Sequence, residues 1–269
     1  MSALRTALHD FEALDSLATK SSTLSTVDAR AKVLVTLAFI ITVVSFERYA
    51  VAGLLPLFLF PVVLAGLGNI PNRVIARGVL LASPFAVMVG IFNPMFDQRE
   101  ILNVAGLGIS GGWISFSSIV IRFALTVSAG LILVASTGFA AFCEALGQLG
   151  VPRLFTTQLL MLHRYMWVLA NETSRMSLAR DLRANGRAMP LTVYGPLLGH
   201  LLLRSVQRAH RIHQAMMSRG FDGQFHHGSA PKWQTRDTVF TGACVAGLVV
   251  ARKFDLANLA GHIVMGWVR

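Results

Sequence analysis

Uncharged apolar runs recur along the first half of the chain: Val33–Phe46, Ala50–Gly68, Gly78–Phe96 and Phe116–Phe139, the last interrupted only by Arg122. A helix needs about 20 apolar residues to cross a bilayer, with a lower limit near 17. Each run is read as a membrane span, and the short first one is extended by Lys32, whose stem reaches toward the headgroups. The Glu47-Arg48 pair makes the first two runs a helical hairpin. Two shorter runs, Thr238–Ala251 and Leu256–Val268 (which holds His262), follow near the C-terminus, so five or six spans are expected.

Between these groups the pattern changes to a helical one. From Pro152, which suits a first helical turn, apolar residues recur through Leu182. Gly186 and Pro190 interrupt the run, and a second helix is expected from Leu191 to Arg219. Residues three, four or seven apart share a helical face. Arg180, Arg183 and Arg187 therefore project together, and Arg204, Arg208, Arg211 and Arg219 form a second stripe. Leu202, Val206, Ala209, His213 and Met216 line a different face.

Composition supports the membrane reading: 54% of residues are apolar and 14% charged, against roughly 25% charged in ordinary soluble domains. The fold class expected is all-α, a polytopic membrane protein with long cytoplasmic helices. Its parts are an N-terminal cytoplasmic segment (1–30), four spans (31–139), the cytoplasmic helices (140–232) and a C-terminal membrane segment (233–269). Met1–Thr26 carries Arg5, His9, Asp10, Glu12, Asp15 and Lys20 and lacks the apolar core of a signal peptide.

The net charge of +11 is concentrated, because Pro152–Lys232 holds eleven basic residues and three acidic ones. Cytoplasmic Lys and Arg excess is the ordinary topology signal of a membrane chain, and with no recognisable nucleic-acid module a nucleic-acid partner is not expected. Arg73 and Arg77, read as lying in a connector, belong on the same side as the basic block. That puts the N-terminus inside and Glu47-Arg48 and Asp97–Trp113 outside.

Three readings of the basic block compete: binding to anionic headgroups of the lipid bilayer, a nucleic-acid surface, and a docking face for an acidic partner. Docking is favoured by two similar helix ends, Met176-Ser177-Leu178-Ala179-Arg180-Asp181 and Met216-Met217-Ser218-Arg219-Gly220. In each, an arginine follows a small residue, with methionine, an adaptable apolar filler, just upstream. The arginine fork matches a carboxylate, and a pair of such ends fits a partner with two equivalent grooves.

At these residues the chain resembles the transmembrane T component of energy-coupling factor transporters, and within it the CbiQ-type subunit of cobalt or nickel importers. That family carries two Ala-Arg-Gly-like motifs at the ends of cytoplasmic coupling helices. Here Ala179-Arg180-Asp181 and Ser218-Arg219-Gly220 match them, with Asp181 and Ser218 departing from the pattern. Leu14-Asp15-Ser16-Leu17-Ala18 and Asp28-Ala29-Arg30-Ala31-Lys32 also resemble this branch. The resemblance implies two ABC-type ATPase subunits as partners, a substrate-binding membrane subunit (CbiM-like) and a small accessory one (CbiN-like). Arg180 and Arg219 would each enter one ATPase groove, and the metal's ligands would lie on another subunit.

Other patterns carry less. Gly106-Leu107-Gly108-Ile109-Ser110-Gly111 fits a GxGxxG string but lies in an expected outer loop with no strand before it. No P-loop lysine pattern occurs, so ATP hydrolysis by this chain is not expected. His213 is read as a core histidine, His226-His227 as a solvated loop, and Cys143 and Cys244 as buried small apolar residues. No cofactor, metal site or catalytic set is expected. The alternatives are a vitamin-type coupling subunit and an ion-coupled secondary transporter, which would need mid-membrane ionisable groups that the first three runs lack.

Overall fold

The computed structural model describes residues 18, 22–47, 51–96, 100–104, 107–184, 191–221, 223 and 233–253. Of these, 139–223 form one compact unit and the rest form another. The larger unit is a helical bundle. Helix α1 (Ala29–Val44) begins where the Asp28 carboxylate accepts the Arg30 N–H at 2.8 Å, an N-cap that satisfies one of the helix's unpaired donors.

The Ala50–Gly68 run is not one helix. It is α2 (Val51–Leu54), a 3₁₀ turn (Leu55–Phe58) and α3 (Leu59–Leu67). Pro56 has no N–H to give to the preceding turn, and the chain tightens there. Helix α3 closes as Asn69 turns to φ 50° and Ile70 N–H reaches Ala65 O at 3.0 Å.

Helix α4 (Asn72–Gly90) starts directly after Pro71. Arg73 and Arg77, expected in a connector, therefore lie in its first turns. Pro84 sits inside α4 and leaves the Leu80 carbonyl without its usual donor. The Ser83 hydroxyl takes its place at 2.8 Å, the kind of local repair that lets proline persist in membrane helices.

After α5 (Asn93–Phe96), strands β1 (Glu100–Val104) and β2 (Leu107–Ser110) form an antiparallel hairpin with an irregularity between Glu100 and Leu102. The expected outer loop thus holds a small sheet, and a strand does precede the glycine string. Leu107–Ser110 is itself the second strand rather than a phosphate-cradling loop. Helix α6 (Gly111–Thr137) begins five residues before the expected Phe116 and breaks at Gly138, φ +77°.

Helices α7 (Phe139–Gln148), α8 (Arg153–Arg183) and α9 (Tyr194–Met217) make up the second unit, and α10 (Thr235–Lys253) returns to the first. Among the described residues the hairpin is the only β structure. Leu256–Val268 lies outside them, as does the N-terminal stretch up to Leu17.

Two apolar clusters hold the bundle. Phe39, Val43, Leu54, Leu57, Leu125 and Leu248 form one; Leu24, Leu64, Ile70 and Ile132 form the other. Phe39 stacks on Phe60 with centroids 4.2 Å apart. Helices α4 and α6 meet through glycine: a Cβ on Gly78 would clash with Leu131, and one on Gly90 with Phe116. Helices α4 and α6 are long and apolar enough to cross a membrane, with Leu55–Leu67 a shorter apolar stretch. On α4, Leu80, Leu81, Phe85 and Met88 are each 70% exposed or more, a patch that aqueous surfaces rarely carry.

Helices α1 and α10 run parallel. Asp28 N–H donates to Asp237 Oδ1 at one end (2.9 Å), and Arg252 Nη2 donates to Ser45 O at the other (2.9 Å). Helix α6 runs against them, with Arg122 on Glu47 O and Ser136 O on Lys32. The cations at the α1 C-terminus complement its unpaired carbonyls. Lys32 does not reach outward: it is 6% exposed, and its ammonium donates to Ser136 O at 2.9 Å.

Candidate docking surface on the α8–α9 helix pair

Helix α7 turns into α8 through Gly150 at φ +102°, where Val151 N–H bonds Leu146 O. Phe139 stacks on His163 at 4.7 Å. Cys143 is fully buried, and that burial pushes its thiol above the ordinary range, so it is not a reactive cysteine.

Helices α8 and α9 lie antiparallel, bridged by Arg204 and Glu172. Thr157, Met161 and Tyr165 of α8 face Ile212 and Met216 of α9 across an apolar groove of about 460 Å³, joined by Phe221. Toward the opposite end, Arg175, Arg183, Arg204, His200, Glu172 and Ala179 line a cationic cleft of about 630 Å³.

The first motif closes α8. Ala184 N–H bonds Arg180 O at 2.9 Å, Ala179 is exposed, and Arg180 Nη1 lies 3.4 Å from Asp181 Oδ1. Adjacent helical residues do not face each other, so this ion pair is long. Asp181 is 47% exposed, and such a pair contributes at most about 1 kcal/mol. Asp181 is therefore a weak local partner of Arg180.

The second motif closes α9. Ser218 Oγ donates to Gln214 O at 2.9 Å, Gly220 N–H to Met217 O at 3.0 Å, and Phe221 N–H to Met216 O at 3.0 Å. With Gly220 at φ +76° this is a Schellman closure, and it folds Phe221 back beside Met216 on the groove. Arg219 is left exposed at the turn.

The two motifs are not brought together. Arg180 lies eight residues beyond Glu172 and Arg219 fifteen beyond Arg204. At 1.5 Å per residue these are about 12 and 22 Å in opposite directions from the bridge. Arg183 faces the cationic cleft, and Arg187 falls outside the described residues. The α9 basic stripe is divided, since Arg204 pairs with Glu172 while Arg208 borders the apolar groove. Leu202 is exposed and lies outside the groove that Val206, Ala209 and Met216 line. His213 is an exposed groove residue rather than a core one, and His226-His227 fall outside the described residues. Among those residues no three His, Cys, Asp or Glu gather as a metal set.

Sequence reasoning missed the Glu172–Arg204 bridge, because nothing local marks a pair 32 residues apart. It also missed Asp237, 1% exposed. An acidic residue three positions after Gln234 is half of a capping box, and that signal was available.

The model of the family CbiQ, described as cobalt transport protein, matches residues 20–228. An uncharacterised protein of Methanocaldococcus jannaschii is 26% identical over 82% of this chain and 78% of its own length. A second uncharacterised protein of that organism is 25% identical over 76% of this chain and 79% of its own. The family match spans well over half the sequence, and the bundle has helices able to cross a bilayer. The chain belongs to the CbiQ family of cobalt transport proteins, membrane transport proteins rather than enzymes.

Proposed function

We propose that the chain is the transmembrane coupling subunit of an energy-coupling factor importer for cobalt or nickel ions. The observation that carries this reading is the α8–α9 pair, in which two helices end in an arginine after a small residue and those ends point opposite ways. A pair of ABC-type ATPases offers two equivalent grooves, and a connector with one arginine-bearing end for each fits them. The 31-residue α8 spans about 46 Å, long enough to carry displacement from an ATPase toward the bilayer. The metal ion is cargo, held by a separate membrane subunit of the CbiM type with an accessory CbiN-type subunit.

In this arrangement the N-terminus, α8 and α9 are cytoplasmic. Arg180 and Arg219 bond acidic groove residues with charge-assisted hydrogen bonds; Ala179 and Ser218 keep the approach narrow, and Gly220 lets the chain turn away. On the Arg180 side, Asp181 yields its arginine to the partner. Closure of the ATPases on ATP then shifts both helix ends at once.

Removing one partner of a buried, hydrogen-bonded charge pair costs about 2–5 kcal/mol, at least about thirtyfold in affinity. Arg180→Ala and Arg219→Ala should each weaken ATPase binding by that factor, and the double variant should lose co-purification and metal uptake. A double variant that still bound the ATPases and imported metal normally would defeat the reading.

A further inference from the structure

Asp28, Lys32 and Asp237 are charged, within the bundle unit, and each less than a tenth exposed. Their bonds tie together the places where the chain leaves and re-enters that unit. The chain passes out after Gly138 and returns at Pro231. Two residues before the exit, Ser136 O accepts from Lys32 Nζ at 2.9 Å. Helix α6 ends at Thr137, so this carbonyl lacks a helical donor, and the ammonium supplies one at the end where a cation is favoured. Just after the return, Asp237 Oδ2 accepts from Gln234 N–H at 2.8 Å while its Oδ1 accepts from Asp28 N–H at 2.9 Å. Lys32 and Asp28 lie one turn apart at the start of α1. One helix N-terminus thus grips both strands of the connection. Trp233 adds to it, with Arg30 6.0 Å from its ring centroid and its indole N–H on Thr238 Oγ1 at 2.7 Å.

Gly138, at φ +77°, ends the helical course between α6 and the helix after it. A pull on the two connecting segments moves the bundle as one body only where their ends are tied to each other. We propose that Lys32 and Asp237 are positioning residues for energy coupling: their clamp on Ser136, Gln234 and Asp28 makes α6, α1 and α10 take up displacement of the two connecting segments together, instead of letting the end of α6 and the start of α10 yield separately. This rests on the coupling reading above. It assigns to the Asp28-Ala29-Arg30-Ala31-Lys32 motif a mechanical task separate from ATPase docking.

The test uses the complete complex with its ATPases and membrane subunit in proteoliposomes, with Co²⁺ as the transported probe. Uptake and ATP turnover are measured together. Lys32→Met and Asp237→Asn should keep ATPase binding and ATP turnover while uptake per ATP falls about tenfold, within the usual range of a coupling between two sites. Lys32→Arg, which keeps the cation and its donors, should restore most of the ratio. Should Lys32→Met fail to assemble, Asp237→Asn carries the same expectation, since it keeps the side-chain shape and one acceptor. Wild-type uptake per ATP in the assembled variants, or uptake and turnover falling in proportion, would overturn the clamp and leave the coupling reading standing. A wild-type chain that bound no ATPase would overturn the coupling reading itself.

Discussion

At Gly220 the backbone takes φ +76° with nothing within 4 Å of the place a Cβ would occupy. The demand for glycine is therefore conformational rather than steric. A side chain in this left-handed region costs roughly 1–2 kcal/mol. Gly220→Ala should loosen the closure of α9, and hydrogen exchange at the Gly220 and Phe221 amides, now bonded to Met217 O and Met216 O, should quicken about fivefold or more. Unchanged exchange would mean that the turn is held by something other than this closure. Other single residues do comparable local work. Ser83 repairs the gap left by Pro84, and Asp181 makes a long, weak pair with Arg180. The two arginines were legible as sequence because a small residue, an arginine and a helix end fall together twice. Lys32 was legible as a charge at the edge of an apolar run and as part of the Asp28–Lys32 stretch, not as a buried donor. Its real partner, Ser136 O, lies 104 residues away and is a backbone atom that no pattern announces.

Elements were legible where a run of uncharged residues or a helical period marked them. Their ends were not, wherever proline or glycine chemistry decided. Pro71 starts α4 six residues before the expected Gly78, and Pro56 divides what reads as one span into three pieces. The glycine string falls on β2 because hairpin pairing with β1 prevails over the loop reading. Packing between elements depends on close approach at two glycines. Without water to drive association, membrane helices join through small residues that let backbones near each other. Gly90→Leu would press on Phe116 across the α4–α6 contact, and overpacking of this kind costs about 1–3 kcal/mol. It should lower the thermal midpoint of the chain in detergent. Gly66→Ala, with nothing within 4 Å, should leave that midpoint unchanged or slightly raised. Equal effects of the two substitutions would remove the argument for the glycine contact.

For the whole molecule, the parallel course of α1 and α10 has a consequence for topology. Ser45 and Arg252 share one end of the bundle, while Asp28 and Asp237 share the other. If α1 crosses outward from the cytoplasm, α10 does too, and Lys253 emerges on the Glu47 side against the usual charge bias. Single cysteines at positions 47 and 253, in a chain with Cys143 and Cys244 replaced, should react with an impermeant maleimide from the same face of sealed vesicles. A cysteine at Trp233 should react from the other face. Labelling of 47 and 253 from opposite faces would contradict the arrangement. Arg252 donates to Ser45 O at 2.9 Å and lies 4.4 Å from the Phe46 ring, which ties the α10 end to the α1 end.

Residue order alone establishes that the chain is helical and apolar enough for a membrane, that its charge is gathered in one segment, and that two arginines fall at two helix ends. Those properties follow from local periodicity, apolar run length and residue type, which neighbours within a few positions decide. That the two arginines sit at opposite ends of an antiparallel pair, that α10 runs beside α1, and that Lys32 bonds Ser136 O while Asp237 bonds Gln234 and Asp28, emerges from the tertiary fold alone. Each of these depends on bonds between residues tens to hundreds of positions apart. Such bonds exist only once burial has removed water and left a carbonyl, a carboxylate or an ammonium to find its partner inside the protein.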